Sequence, residues 1–127
     1  MNPFPDELHL LDVGFQEGYH GRCFKLEQSF RVKTSKGLVT IPDGTLTDGA
    51  SIPQFCQNLF SPIGPSFPCA IYHDYYYSKA NKTLTRKEVD DIFLELMYNV
   101  GVGWFERTAI HSAVRLFGGR FYKGLNQ

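Results

Sequence analysis

The sequence predicts an α+β domain in which a small antiparallel β-sheet precedes three helices. Between positions 22 and 41, apolar and polar side chains alternate with a period of two, as in half-buried strands. After position 66, apolar residues recur at helical spacing. A chain of 127 residues can bury one hydrophobic core but is too short for two. We therefore expect one domain over 1–127, with a β-rich layer at 1–46, a loop region at 47–66 and a helical part at 67–127.

The composition is that of a globular protein without net charge. Apolar residues make up 43% of the chain and charged residues 20%, and the formal charge at pH 7 is zero. A neutral chain gains no long-range attraction to nucleic acid, so we expect no nucleic-acid partner. No apolar run approaches the roughly eighteen residues of a membrane span, so we also expect no transmembrane segment. Three cysteines cannot all pair with one another and no signal peptide is recognisable, which predicts folding in a reducing cytoplasm with buried thiols at Cys23, Cys56 and Cys69.

The strand signals lie in the first 46 residues. Residues 1–21 combine acids, proline and glycine, which predicts an irregular arm or a short edge strand. Residues 29–41 indicate a hairpin, because a turn signal at 35–37 separates an alternating run from a β-branched run. The apolar positions of the alternating pattern are Phe24, Leu26, Phe30 and Val32.

The middle of the chain predicts irregular structure. Aspartate, glycine, serine and proline are dense in the run Thr47-Asp48-Gly49-Ala50-Ser51-Ile52-Pro53. Such a loop offers carboxylate and backbone carbonyl oxygens, which suit a hard cation such as calcium. Residues 54–60 indicate a short helix, and a rigid bend at 62–65 leads into the helical part.

Capping signals place the first two helices. The first is predicted at about 67–79, with Ser66 as its candidate N-cap. The second opens with Thr85 and Glu88 in capping-box form and ends before Gly101. Its apolar residues recur at helical spacing, at Val89, Ile92, Phe93, Leu96 and Val100.

The third helix, predicted at about 105–117, begins the most basic part of the chain. Its predicted inward residues are Ala109, Ala113, Val114 and Phe117. From Trp104 onward, Glu106 is the one acid against four bases, which are Arg107, Arg115, Arg120 and Lys123. These charges indicate either a solvated helix face and tail or a cationic rim that holds a phosphate head group or an acidic partner protein.

His73, Asp74 and Tyr77 fall within about one turn of the first helix. Residues i and i+4 share a helix face, so His73 and Tyr77 point the same way while Asp74 points toward the loops, where it would bind a metal. On the second helix Asp90 lies at the edge of the apolar stripe, whereas Asp91 faces outward. A short connection favours antiparallel helices, which would bring Asp90 to His73. That carboxylate would fix the imidazole tautomer while the other ring nitrogen removes a proton from water.

Each of these residues also has a purely structural interpretation. His73 is then a satisfied buried polar group, Asp90 an ion-pair partner of Arg86 one turn earlier, and Tyr77 a core aromatic. Their combination on compatible helical phases favours a site. A further interpretation, a zinc-dependent wall amidase or peptidase, would use a zinc set of His73, Asp74 and His111.

The combined motifs resemble an uncharacterised phage and prophage family that is catalogued as a domain of unknown function. The residues that carry the likeness are Ile41-Pro42, Gly44, Thr47-Asp48, Ala50-Ser51-Ile52-Pro53, Pro62-Ile63-Gly64, His73-Asp74, Asp90, Phe93, Ala113-Val114-Arg115 and Phe117-Gly118. The match covers most of the chain. The resemblance implies a phage or prophage origin, with synthesis in the host cytoplasm and a candidate place in the virion.

A second likeness, over about residues 47–118, is to phospholipase A2. The His-Asp-x-x-Tyr helix of that family is similar to His73, Asp74 and Tyr77, and its following aspartate-bearing helix is similar to the segment that starts at Asp90. The resemblance implies that His73 is the base, Asp90 its partner and Tyr77 a supporting phenol. It also implies that Asp74 is a calcium ligand, with Asp48 as a further candidate in a Thr-Asp loop.

Two functional hypotheses follow. The first is a calcium-dependent hydrolase of a lipid ester or another envelope component, in which water is the nucleophile and calcium stabilises the oxyanion. The second is a non-enzymatic tail or neck component that uses its hairpin edge or basic tail against other virion proteins.

Overall fold

A computed structural model describes residues 2–18, 22–47 and 66–125. The elements in these ranges are β1 Leu10–Phe15, β2 Arg22–Leu26, β3 Phe30–Thr34, β4 Gly37–Ile41, β5 Leu46–Thr47, α1 Phe67–Tyr77, α2 Arg86–Asn99 and α3 Trp104–Phe117, followed by a 3-10 turn at Gly118–Phe121. The predicted α+β class, with antiparallel strands before three helices, is confirmed. The predicted short helix at 54–60 and the bend at 62–65 lie outside the described residues.

The strands form two small antiparallel sheets. One has the order β1-β2-β5, and β3 pairs with β4 in the other. The β3–β4 pair is the predicted hairpin, with a two-residue turn between the paired Thr34 and Gly37. Because side chains alternate across a strand, Phe30, Val32 and Ile41 all enter the core from this hairpin. The predicted short edge strand is β1.

Polar contacts fasten the hairpin to α2. The Ser35 N–H donates to Glu95 Oε2 at 3.0 Å, and Lys36 Nζ lies 2.8 Å from Glu88 Oε2. Glu88 also closes the predicted capping box, since it accepts from the Thr85 N–H while Thr85 Oγ1 accepts from the Glu88 N–H. The hydrogen bonds from Lys36 and from the Thr85 backbone lower the pKa of Glu88 to about 2. One carboxylate therefore starts α2 and holds the hairpin against it.

The first helix differs from its prediction at both ends. Ser66 precedes α1, but it makes no side-chain capping bond because its own backbone is helical, with φ −80° and ψ −15°, whereas a capping residue is extended. At the other end, α1 stops at Tyr77 rather than near residue 79. Ser78 is extended there, with ψ 171°. None of the helices within the described ranges is long and apolar enough to cross a membrane.

The core lies between the β3–β4 hairpin and the three helices. Its largest fully buried side chains include Leu26, Phe30, Ile41, Ile71, Tyr72, Phe93, Leu96, Met97 and Ile110. Cys23 and Cys69 are buried as predicted, and Cys56 lies outside the described residues. Of the predicted inward residues of α3, Ala113 and Val114 are buried and Ala109 is half-buried. The prediction for Phe117 is wrong, because this last residue of α3 is 55% exposed.

Replacing Thr85 with alanine removes the hydroxyl half of the capping box. We expect Thr85→Ala to lower the free energy of unfolding by about 1 kcal/mol, the usual cost of losing an N-cap side chain. Urea denaturation followed by circular dichroism measures this change. Thr83→Ala is the matched control because the Thr83 side chain is exposed. An equal loss in the two variants would contradict the capping role.

The low pKa of Glu88 predicts an acid-sensitive component of stability. The pKa is about 2 in the folded chain and would be near 4.3 in the unfolded chain. Charged Glu88 therefore stabilises the fold above about pH 4.3, and this contribution disappears as the pH falls toward about 2. We expect the Tm of the parent protein to fall more steeply across this window than that of Glu88→Gln, which keeps an acceptor oxygen but not the charge. If the Tm of the parent protein and that of Glu88→Gln fell equally with pH, the charge of Glu88 would not stabilise the fold.

Candidate active site

His73 of α1 and Asp90 of α2 meet in the core. Both side chains are fully buried, and His73 Nε2 lies 2.7 Å from Asp90 Oδ1. A carboxylate can only accept here, so Nε2 carries the proton, and in the neutral imidazole Nδ1 carries the lone pair. The imidazole ring also packs on Phe93, at 4.6 Å between ring centres. The structure thus brings together the two residues that the sequence predicts as a base and its partner.

Tyr77 lies one helical turn after His73 and contacts the same aspartate oxygen. Its hydroxyl donates to Asp90 Oδ1 at 2.7 Å. Burial, together with the negative charge of Asp90, raises the pKa of Tyr77, so the side chain remains a phenol that can donate. The i and i+4 spacing on α1 therefore directs two donors at one oxygen.

Two arginines approach the other oxygen of Asp90. Arg115 Nη1, from α3, donates to Asp90 Oδ2 at 2.7 Å, and Arg86 Nε lies 3.9 Å from the same oxygen. Arg86 also donates to the Tyr77 hydroxyl at 3.1 Å and, through Nη2, to the carbonyl oxygens of Val114 and Arg115. The site is therefore a polar network that joins all three helices.

This network keeps Asp90 ionised in the core. Burial by itself raises the pKa of a carboxyl group, but the hydrogen bonds from His73, Tyr77 and Arg115 outweigh it and lower the pKa of Asp90 below its ordinary value. A charge in this position is stable only while its partners remain.

The 3-10 turn after α3 closes over the network at close range. A Cβ atom on Gly118 would lie 3.1 Å from the Tyr77 hydroxyl, and one on Gly119 would lie 3.4 Å from Arg86 Nη1. The sequence predicts these two glycines only as the end of the third helix. The structure adds a second reason for Gly118, since a Cβ there would crowd the Tyr77 hydroxyl, whereas a Cβ at Gly119 would make an ordinary contact with Arg86.

Asp74 points away from His73, toward β5. Its Oδ2 accepts a hydrogen bond from Thr47 Oγ1, which ties α1 to the end of that strand. Asp48, the other predicted metal ligand, lies outside the described residues. Calcium takes about six to eight oxygen ligands, and across 2–18, 22–47 and 66–125 no three His, Cys, Asp or Glu side chains form a group that could hold a metal ion. Within these ranges, Asp74 and Thr47 can supply only part of a calcium site.

His111 does not join His73 and Asp74. Its Nε2 lies 3.1 Å from Asp91 Oδ1, on the outer side of α2, where Asp91 also pairs with Lys87. The zinc set of His73, Asp74 and His111 is therefore not assembled in this part of the chain. Asp91 faces outward, as its helical phase predicts. His111 contacts Asp91 and therefore lies on the same outer side of α2.

Sequence reasoning misses Arg86 and Arg115 as parts of the site. Arg86 is considered there only as an alternative partner of Asp90, and Arg115 only as part of a basic rim. The available signals are weak: Arg86 stands one turn before Asp90, and Arg115 belongs to the motif Ala113-Val114-Arg115. Neither signal says how α3 lies against α2.

A family model described as "Protein of unknown function (DUF1353)" matches residues 24–114. The matched region runs from β2 into α3 and includes His73, Asp74, Tyr77 and Asp90. No curated protein and no solved structure matches the chain.

Replacing Asp90 with alanine would leave His73 and Arg115 without their carboxylate. Breaking a buried ion pair from one side costs about 3–5 kcal/mol. Because the Arg115 side chain is about one-third exposed, we expect Asp90→Ala to lower the free energy of unfolding by an amount at the low end, about 3 kcal/mol. Chemical denaturation measures the difference.

Asp91→Ala is the matched control for this prediction. It changes the neighbouring residue of the same helix, whose side chain is 44% exposed and whose ion pairs lie at the surface. Exposed pairs contribute less than about 1 kcal/mol. Similar losses at positions 90 and 91 would show that the buried network does not hold the helices together.

Proposed function

The chain belongs to the DUF1353 family of proteins of unknown function, and we propose that it is a hydrolase that activates water with a His73–Asp90 dyad. The observation that carries the proposal is the 2.7 Å contact between His73 Nε2 and Asp90 Oδ1, reinforced by Tyr77 on the same oxygen. An imidazole held in one tautomer by an ionised carboxylate is the arrangement that general-base catalysis needs.

In the proposed reaction, Nδ1 of His73 is the general base. It removes a proton from water as the water oxygen bonds to the ester carbonyl carbon, and Asp90 stabilises the resulting imidazolium. His73 then returns the proton to the leaving alkoxide as the carbon–oxygen ester bond breaks. Tyr77 and Arg115 hold the two carboxylate oxygens in place, so little reorganisation accompanies the proton transfer.

Asp74 is the proposed calcium ligand, with Asp48 and loop carbonyl groups completing the site. Calcium would supply positive charge to the ester carbonyl oxygen as negative charge develops there. The orientation of Asp74 toward β5, away from the dyad face, supports this division of roles.

A lipid ester or another envelope component is the proposed substrate. The likeness of the His73, Asp74, Tyr77 and Asp90 pattern to phospholipase A2 supports it. The likeness of the motif set to phage and prophage proteins supports a phage origin, with action in the host cytoplasm or from the virion.

A second candidate function is a non-enzymatic component of a phage tail or neck. It is favoured by the way Asp90 is surrounded, because donors from three helices on one fully buried carboxylate also serve to fasten a scaffold. In that case the hairpin edge or the basic segment after α3 would contact other virion proteins.

Hydrolysis of ester-linked phospholipid vesicles, measured with calcium and with a chelator, tests the proposal. We expect His73→Gln to reduce turnover about 10²–10⁴-fold, the usual contribution of a general base. Asp74→Asn and the chelator should each abolish turnover. Glutamine retains an N–H that can donate to Asp90, and circular dichroism verifies that the variants fold.

His111→Gln is the matched control for this experiment. His111 contacts Asp91 rather than the dyad, so this variant should keep its turnover. If His111→Gln lost as much turnover as His73→Gln, His111 would have to take part in the reaction. Negligible turnover in every sample, including the parent protein with calcium, would rule out the hydrolase, and co-purification with particles would then favour the second candidate.

A further inference from the structure

The outer face of α3 carries large apolar side chains that the fold leaves in solvent. We define this face by Trp104, Phe105, Thr108, Ser112 and Leu116. Trp104 is 67% exposed, Phe105 75% and Leu116 74%. At about 100° per residue, the five positions fall within a sector of about 120°. The side chains that α3 buries, Ile110, Ala113 and Val114, lie on the opposite side.

The inner face of α3 is buried because it packs into the core. Within the described residues, the outer face has no such contact with the core. A surface helix ordinarily presents polar and charged groups on the side away from the core. Here the one charged residue within the sector, Arg115, directs its guanidinium inward to Asp90, and the other side chains are aromatic, aliphatic or hydroxyl. Large apolar side chains exposed at both ends of one helix face are typical of an interaction surface.

Positive charge flanks this face. From Trp104 onward the chain has four bases against one acid, in a protein whose total formal charge is zero. Because Arg115 is paired with Asp90, the bases left are Arg107, Arg120 and Lys123 against Glu106, a net charge of +2. The Arg107 guanidinium lies 5.0 Å from the centre of the Tyr98 ring, and that of Arg120 lies 4.8 Å from the centre of the Phe121 ring. One arginine therefore lies over an aromatic ring near each end of α3.

We propose that the outer face of α3 is the surface by which this protein binds an anionic lipid bilayer. Tryptophan and phenylalanine favour the boundary between head groups and acyl chains, while arginine and lysine can bury their stems and reach the phosphates. The helix would lie in the plane of the interface, with Phe105 and Leu116 inserted about three turns apart.

Either a lipid bilayer or a second copy of the chain could cover the outer face of α3, and the charge of this region favours the bilayer. Pairing two outer faces would bring together two segments that each carry a net charge of +2 besides the paired Arg115, which opposes association. An anionic lipid surface instead attracts each basic residue near it with about 1 kcal/mol. The same side chains therefore fit a bilayer better than they fit one another.

This inference goes beyond the proposed hydrolysis, because docking requires no turnover. It stands if the dyad is inactive. If the dyad does cleave lipid esters, the same surface brings the site to its substrate.

Trp104 is the single tryptophan of the chain, so its fluorescence reports directly on this face. The probe is vesicles of ether-linked phosphatidylglycerol and phosphatidylcholine, which contain no ester to hydrolyse. We expect a blue shift of the emission and saturable binding to the anionic vesicles. Binding should be at least about tenfold weaker with ether phosphatidylcholine alone or at high salt, since salt screens exposed charges.

Phe105→Ala and Leu116→Ala test the apolar part and retain Trp104 as the reporter. Each should weaken binding about tenfold, the loss expected for one large apolar side chain that no longer inserts. Leu38→Ala is the matched control because Leu38 is an equally apolar, exposed residue that belongs to β4 and not to α3. It should bind as the parent protein does.

Any one of the following vesicle-binding results would overturn the proposal. These are an unchanged emission with anionic vesicles, equal affinity for neutral vesicles, full binding by both Phe105→Ala and Leu116→Ala, or equal weakening by Leu38→Ala. A concentration-dependent blue shift without vesicles would assign the face to a second copy of the chain. Ester hydrolysis without binding to ether vesicles would leave the proposed function intact and refute this surface alone.

Discussion

An ionised carboxylate in the core, Asp90, is the group on which the helical half of this protein depends. A buried charge is costly unless it is fully paired, and here the partners come from different helices. His73 and Tyr77 of α1 contact one oxygen, and Arg115 of α3 contacts the other. Arg86 extends the network to the last carbonyl groups of α3. The three helices therefore cannot shift against one another without exposing or orphaning this charge.

The same constraint shapes whatever chemistry the site performs. Donors on both oxygens keep Asp90 negative and hold its plane, which makes it a fixed partner for His73. Asp74, the residue next to His73, faces the other way and reaches Thr47. One turn of α1 thus separates a buried face that contacts Asp90 from a face directed toward β5.

α3 links this interior to the surface. The helix supplies Arg115 to the network, its inner side supplies apolar residues to the core, and its outer side presents Trp104, Phe105 and Leu116. A lipid surface bound to the outer side would therefore contact the same helix whose Arg115 pairs with Asp90. The glycines after α3 complete the arrangement, because the turn they form can approach Tyr77 and Arg86 closely.

The sequence by itself determined whatever depends on local periodicity. The hairpin, the capping box at Thr85, the shared face of His73 and Tyr77, and the inward phase of Asp90 all follow from periods of two or 3.6 residues and from short-range hydrogen bonds. Only the tertiary structure decided that Arg115 reaches Asp90 and that His111 reaches Asp91. These contacts depend on how α3 crosses α2, and that crossing is set by packing between distant segments, which no local period encodes.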